Sequence, residues 1–256
     1  MTNKLLDNNP DRPIERIGDT VHRPTHHWTP AVHDLLNYLQ SVNFPYSPKV
    51  LGFDENGREI LSYIDGQSGG DGWAKIVSDD GLRKFAKLLR AYHDVITDYK
   101  PPVNAEWACA IGVPKNGEIM CHGDFGPWNI VWDDDNEPVG IVDWDLVVPA
   151  KPRFDVLYAL EYSAPFRDDE AALKWHHFPK VPNRQHRIEV FAEAYGLTEL
   201  GDVVTDVATM QRQVAGFEKQ LAERGLQPQA EWVANGDLEV IEQHAKWTES
   251  HRSLFE

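Results

Sequence analysis

Residues 66–72, Gly-Gln-Ser-Gly-Gly-Asp-Gly, divide the chain into two unlike parts. So much glycine is too costly in backbone entropy for the interior of a helix or strand, so the stretch acts as a joint. Before it the patterning is of the strand kind. Residues 14–23 predict two short strands around a Gly18-Asp19 turn, and residues 49–53 and 59–64 predict two more around Asp54-Glu55-Asn56-Gly57. One helix interrupts them, with Thr29 expected to cap it, Pro30 in its first turn, and Val32, Leu35, Leu36 and Leu39 along one face. After the joint the period becomes helical. Leu82, Phe85, Ala86, Leu89, Tyr92 and Ile96 form an apolar stripe behind an acidic cap at Asp79 and Asp80. Residues 187–224, broken near Gly196, and 237–252 continue in the same manner. The expected class is α+β in two lobes: a small strand-rich unit over residues 1–65 and a larger helical one over residues 66–256.

The bulk properties narrow the partners. Hydrophobic residues at 41% and charged residues at 26% exclude a disordered chain. A formal net charge of −16 argues against nucleic acid and anionic membranes and favours a cationic small molecule. Cys109 and Cys121 make neither a disulfide framework nor a metal knuckle. The first residues hold no apolar signal core, and no run is long enough to span a bilayer, so a soluble cytoplasmic protein is expected.

One pair of strands lies inside the helical part, and it carries the chemistry. Residues 121–132 read Cys-His-Gly-Asp-Phe-Gly-Pro-Trp-Asn-Ile-Val-Trp, an acidic turn follows, and residues 139–145 read Val-Gly-Ile-Val-Asp-Trp-Asp. A hairpin centred on Asn136 places Asn129 and Asp143 opposite one another at its open end. An amide oxygen and a carboxylate at one point are hard ligands suited to magnesium. Asp124 stands five residues before Asn129 in a loop shaped by Gly123, Gly126 and Pro127, close to such a metal but outside the strand. A base and metal ligands so arranged are the parts that phosphoryl transfer requires.

His122-Gly-Asp124 with Asn129, followed by Ile141-Val-Asp143-Trp-Asp145, resembles the signature of the aminoglycoside phosphotransferase and choline kinase family. That resemblance implies a bilobal protein-kinase-like fold and transfer of the γ-phosphate of ATP or GTP to a hydroxyl of a small molecule. It makes Asp124 the base, Asn129 and Asp143 the magnesium ligands, and His122 a brace of the catalytic loop. Asp155 corresponds to a buried aspartate that supports the loop, and Asp145 to a lesser helper of the metal. Ser62 to Ile64 match the hinge whose backbone receives the nucleotide base.

The small lobe departs from the family pattern. Asp7-Asn-Asn-Pro10 holds no glycine where a phosphate-covering loop belongs, and Arg23 stands where a strand lysine is expected. Arg23 is therefore assigned the phosphates in the lysine's place. The helix that should supply a partner glutamate offers Asp34, on the face away from Val32, Leu35 and Leu39. The lysine–glutamate pair is absent or replaced, which leaves a nucleotide- or ligand-binding protein without turnover as the alternative. His22, His26, His27 and His33 lack regular ligand spacing and are expected as surface histidines rather than a metal cluster. Cys121 and His122 would face opposite ways on a strand, and His93-Asp94, a pair also found in phosphohydrolases, lacks partner ligands. Trp128 and Trp144 flank the site, and either is a candidate wall for a cationic acceptor.

Overall fold

The computed structural model describes residues 3–7, 13–110 and 112–256. Five short strands form one antiparallel sheet: β1 (Asn3–Asp7), β2 (Ile14–Ile17), β3 (Thr20–Arg23), β4 (Val50–Phe53) and β5 (Glu59–Ser62). Their order is β1-β2-β3-β5-β4. Sequence patterning missed β1, because its apolar residues Leu5 and Leu6 are adjacent and both exposed, so there is no alternation to detect. Its place comes from backbone pairing with β2, Asn3 opposite Ile17. Residues 8–10 of the glycine-free segment lie outside the described residues.

Helix α1 (Thr29–Ser41) covers this sheet. Trp28, rather than Thr29, occupies the cap position; Thr29 is the first helical residue, and its Oγ1 accepts from the His26 N–H at 2.9 Å. The stripe of Leu35, Leu36 and Leu39 is fully buried. At about 1.5–3 kcal/mol per buried leucine, that stripe outweighs the missing cap, whose loss costs about 1 kcal/mol.

The rest of the chain is mainly helical: α2 (Gly72–Lys75), α3 (Asp79–Ile96), α4 (Arg153–Ser163), α5 (Asp169–Lys174), α6 (Arg184–Tyr195), α7 (Val203–Glu223), α8 (Gln229–Ala234) and α9 (Asp237–Ser250). Ser78 caps α3 by accepting from the Gly81 N–H, while Asp79 and Asp80 occupy the first turn, where their charge favours the dipole. Gly196, left-handed at φ 86, ends α6 at the predicted break. Helix α4 gave no stripe to read because its residues from Phe154 to Glu161 are buried on all faces. Buried Arg187 of α6 holds the carbonyls of Ile76, Val77 and Ser163, tying the start of α3 to the end of α4.

Two further pairs of strands sit among these helices. β6 (Ile119–Cys121) pairs with β9 (Val148–Ala150), and β7 (Ile130–Trp132) with β8 (Pro138–Ile141). Among the described residues no helix is long and apolar enough to cross a membrane.

Candidate active site

The loop between β6 and β7 is suspended from one buried carboxylate. Asp155, in the first turn of α4, is fully buried and accepts from the His122 N–H at 2.7 Å and the Gly123 N–H at 2.9 Å. His93 of α3 adds a third bond at 3.1 Å. Burial alone would raise the Asp155 pKa, but the His93 hydrogen bond, the neighbouring His93 and His122 rings and the Gly123 N–H together hold it below the usual carboxylate value. Gly123 adopts φ +83, and a Cβ there would fall on the Leu146 carbonyl, so only glycine lets the loop pass.

His122 is fully buried and does not line the cavity described below. Its Nε2 lies 3.1 Å from the Val142 carbonyl, and its Nδ1 accepts from the Asp124 N–H at 3.3 Å. Both contacts suit one neutral tautomer, and burial lowers the ring's pKa accordingly. His122 thus clamps the loop to the strand leading into Asp143.

Asp124 faces a cavity of about 380 Å³. Tyr158 of α4 donates to Oδ1 at 2.5 Å and Asn129 Nδ2 to Oδ2 at 2.8 Å, with Trp128 Nε1 at 3.5 Å. Burial pushes the Asp124 carboxyl up to about 7, and the Asp143 charge adds to this against the bonds from Tyr158, Asn129 and Trp128. Asp143 and Asp145 line the same cavity.

The hairpin register differs by one residue from the symmetric one. Ile130 faces Ile141, and the Val142 N–H donates to the Asn129 carbonyl at 2.9 Å, so Asn129 lies opposite Val142 rather than Asp143. Next to the turn the pairing, Trp132 with Pro138, is centred on Asp135 rather than Asn136, and the bulge between Val131 and Trp132 recovers only part of that offset. Asp143 is carried back to the site by its backbone: it sits left-handed at φ 59 and ψ 67, ahead of a 3-10 turn at Trp144–Leu146. For a residue other than glycine this is strained by about 1–2 kcal/mol, a cost characteristic of functional positions.

The donor set suits a hard divalent cation. The Asn129 amide N–H groups both point at Asp124, so its Oδ1 is turned elsewhere and accepts no hydrogen bond among the described residues. Asp143 is part-exposed and Asp145 stands two residues on. Amide and carboxylate oxygens of this kind are magnesium chemistry rather than zinc chemistry.

Arg23 reaches this centre from the small sheet. Its guanidinium is buried, donates to Glu59 at 2.6 Å and to Asp145 at 2.9 Å, and lies 3.6 Å from Asp143. Burial opposes its charge, but Asp145, Glu59 and Asp143 prevail and raise its pKa. Where the sequence left a lysine–glutamate pair absent or replaced, Arg23 is paired with Glu59. His33 of α1 bonds the other Glu59 oxygen at 2.7 Å, so the helix contributes a histidine where a glutamate was looked for. Asp34 faces outward and accepts from Tyr99. His22 pairs with Asp54, and His33 with Glu59, so both are buried partners rather than surface histidines.

Ser62 and Ile64 do not line the cavity. The Ser62 N–H donates to the Lys49 carbonyl, whereas the Ile64 amide makes no hydrogen bond among the described residues. Trp128 lines the cavity with Tyr158 and Tyr162, while Trp144 is buried beneath the site with its Nε1 on the Ile141 carbonyl. Sequence reading missed Glu59, Tyr158 and His93, because each acquires its role from a partner remote in the chain. The signal available for Glu59 was a lone acid opening an apolar strand.

An antiparallel sheet above a helical lobe, with a buried carboxylate holding a loop aspartate beside two more acids, defines a kinase-like phosphotransferase scaffold. Residues 104–184 match the model of the phosphotransferase enzyme family. The chain is 33% identical over 190 residues to the trifolitoxin immunity protein of Rhizobium leguminosarum bv. trifolii, covering 72% of this chain and 70% of that one. The fold is similar to that of Plasmodium vivax ethanolamine kinase (TM-score 0.62, 11% identity, 95% and 80% of the two chains). It is also similar to the GDP complex of aminoglycoside 2'-phosphotransferase-IIIa (TM-score 0.60, 14% identity, 96% and 93%). The chain belongs to the aminoglycoside phosphotransferase family.

Proposed function

We propose that this chain transfers the γ-phosphate of ATP or GTP to a hydroxyl of a small molecule, in a magnesium-dependent reaction with Asp124 as base. The observation that carries this reading is the hydrogen-bonded fixing of Asp124 by Tyr158 and Asn129 at the wall of a cavity that Asp143 also lines. A carboxylate so held accepts the hydrogen bond of the acceptor hydroxyl and aims its oxygen at the phosphorus. Asn129 and Asp143 would hold the magnesium, which supplies neutralisation of phosphate charge when bound. Arg23 is assigned the phosphates, and the Ile64 amide, unused within the described residues, is assigned the nucleotide base, with Ser62 beside it. The relative is named for trifolitoxin immunity, and a toxin is the acceptor that this name suggests for the present chain.

A second reading, binding without turnover, is favoured by one observation: Arg23 is already engaged by Glu59 and Asp145. A coupled nucleotide-consumption screen across hydroxylated small molecules decides between the two. Asp124→Asn keeps the shape and removes the base, so turnover falls by about a hundredfold or more while nucleotide affinity is retained. Near-normal turnover in that variant refutes the mechanism; no turnover with any acceptor in the unmodified chain leaves the binding reading.

A further inference from the structure

The loop between β3 and α1 brings a histidine to the catalytic cavity. Its turn is closed twice: the His26 N–H donates to Thr29 Oγ1 at 2.9 Å, and the Thr29 N–H donates to the His26 carbonyl at 3.1 Å. The His26 ring lies flat on the Trp28 indole, with centroids 4.3 Å apart and planes 10° from parallel. Trp28 is 5% exposed, and its Nε1 donates to Asp145 Oδ1 at 3.1 Å. The imidazole is thus positioned by a buried indole that is itself tied to an acid of the site. His26 lines the cavity together with Asp124, Asp143 and Asp145.

The charge on this wall is one-sided. Asp124, Asp143, Asp145 and Glu218 line the cavity, whereas among the described residues no lysine or arginine does. Arg23 is held by Glu59 and Asp145 instead. His26 is the one described lining side chain able to carry a positive charge. A phosphoryl group in transfer spreads negative charge over three oxygens, and it passes between the hydroxyl that Asp124 orients and the diphosphate left behind. In kinases a glycine-rich loop of the small lobe covers the phosphates, but Asp7-Asn-Asn-Pro10 holds no glycine.

We propose that His26 donates a ring N–H to a non-bridging oxygen of the transferring phosphoryl group, and so serves from the β3–α1 loop where the glycine-rich loop is missing. This rests on the phosphotransfer reading above. In the step itself the acceptor oxygen bonds to phosphorus, and the bond from phosphorus to the bridging oxygen of the nucleoside diphosphate breaks. The hydroxyl proton goes to Asp124. His26 keeps its own proton throughout and acts on the charge alone. Because its contact is with the terminal phosphate, a nucleoside diphosphate does not receive it.

The test is calorimetric affinity for a non-hydrolysable nucleoside triphosphate and for the diphosphate, in the adenine and guanine series, together with steady-state kinetics. His26→Phe keeps a flat ring on Trp28 and removes both nitrogens; His26→Gln returns an N–H donor. His26→Phe should lower the ratio of triphosphate to diphosphate affinity by about tenfold or more, the worth of one hydrogen bond to a charged group. It should also lower kcat with the acceptor's KM little changed, and His26→Gln should recover most of the ratio. A merely structural role for the ring would move both affinities together. An unchanged ratio in His26→Phe, or a loss that His26→Gln does not recover, overturns the proposal. A rise in the acceptor's KM alone overturns it too, and assigns His26 to the acceptor. In a chain that turns over an acceptor, those results refute only this inference. A lowered ratio in a chain that turns over nothing supports the contact and refutes only the phosphotransfer reading. A wild type that binds neither nucleotide refutes both.

Discussion

Replacing Asp155 with asparagine removes one negative charge from the point that suspends the loop carrying Asp124. The carboxylate now receives the N–H groups of His122 and Gly123 together with His93. An asparagine offers a single acceptor oxygen, so one backbone N–H is left facing an amide NH2, at about 1–3 kcal/mol. The two remaining bonds fall from charge-assisted to neutral, at about 1 kcal/mol each. The sum is about 3–5 kcal/mol, which for a chain of this size lowers the thermal midpoint by roughly 6–20 °C. A pH series supplies the second readout. The folded pKa of Asp155 lies below its unfolded value, so its contribution is complete above about pH 4 and is lost as pH falls through the folded pKa. The stability gap between the wild type and Asp155→Asn should therefore be constant near neutrality and shrink below about pH 4. Differential scanning fluorimetry from neutral to acidic pH measures both. A midpoint shift under about 2 °C, or a gap that widens in acid, would show that the loop does not depend on this carboxylate.

Gly123→Ala places a Cβ on the Leu146 carbonyl at a positive φ, so it should destabilise by about 2 kcal/mol or more in urea unfolding and abolish turnover. Arg23→Ala strands buried Glu59 with His33 alone and should cost about 3–5 kcal/mol; in the folded fraction, triphosphate affinity should fall far more than nucleoside affinity, and equal losses would remove Arg23 from the phosphates. Asp143→Ala keeps a Cβ at the left-handed φ of 59 and removes a part-exposed carboxylate, so the fold should persist while magnesium-dependent nucleotide binding is lost; unchanged calorimetry in the variant would refute its role as a ligand.

The order of chemistry along the chain was legible without a structure. Asp124, Asn129, Asp143 and Asp155 occur within 32 residues; spacing led to the expectation of a base and two hard ligands, and the family resemblance to that of a support at Asp155. The strands from Ile14 onward and the striped helices α1 and α3 were equally legible, because each buries one face and leaves a period in the sequence. Helix α4 and strand β1 were not, since an element buried all round and one held by backbone pairing leave no period to read. Tertiary structure alone decided who pairs with whom. A turn centred on Asp135, only partly offset by the bulge at Val131, sets Asn129 opposite Val142 rather than Asp143, and Asp143 itself takes a left-handed turn there. Arg23 meets Glu59 across 36 residues and Asp145 across 122, and Gln211 of α7 meets Glu161 of α4 across 50. A side chain's type is written in the sequence; its charge balance and the exposure of its last lone pair depend on neighbours that the folded chain brings from far away.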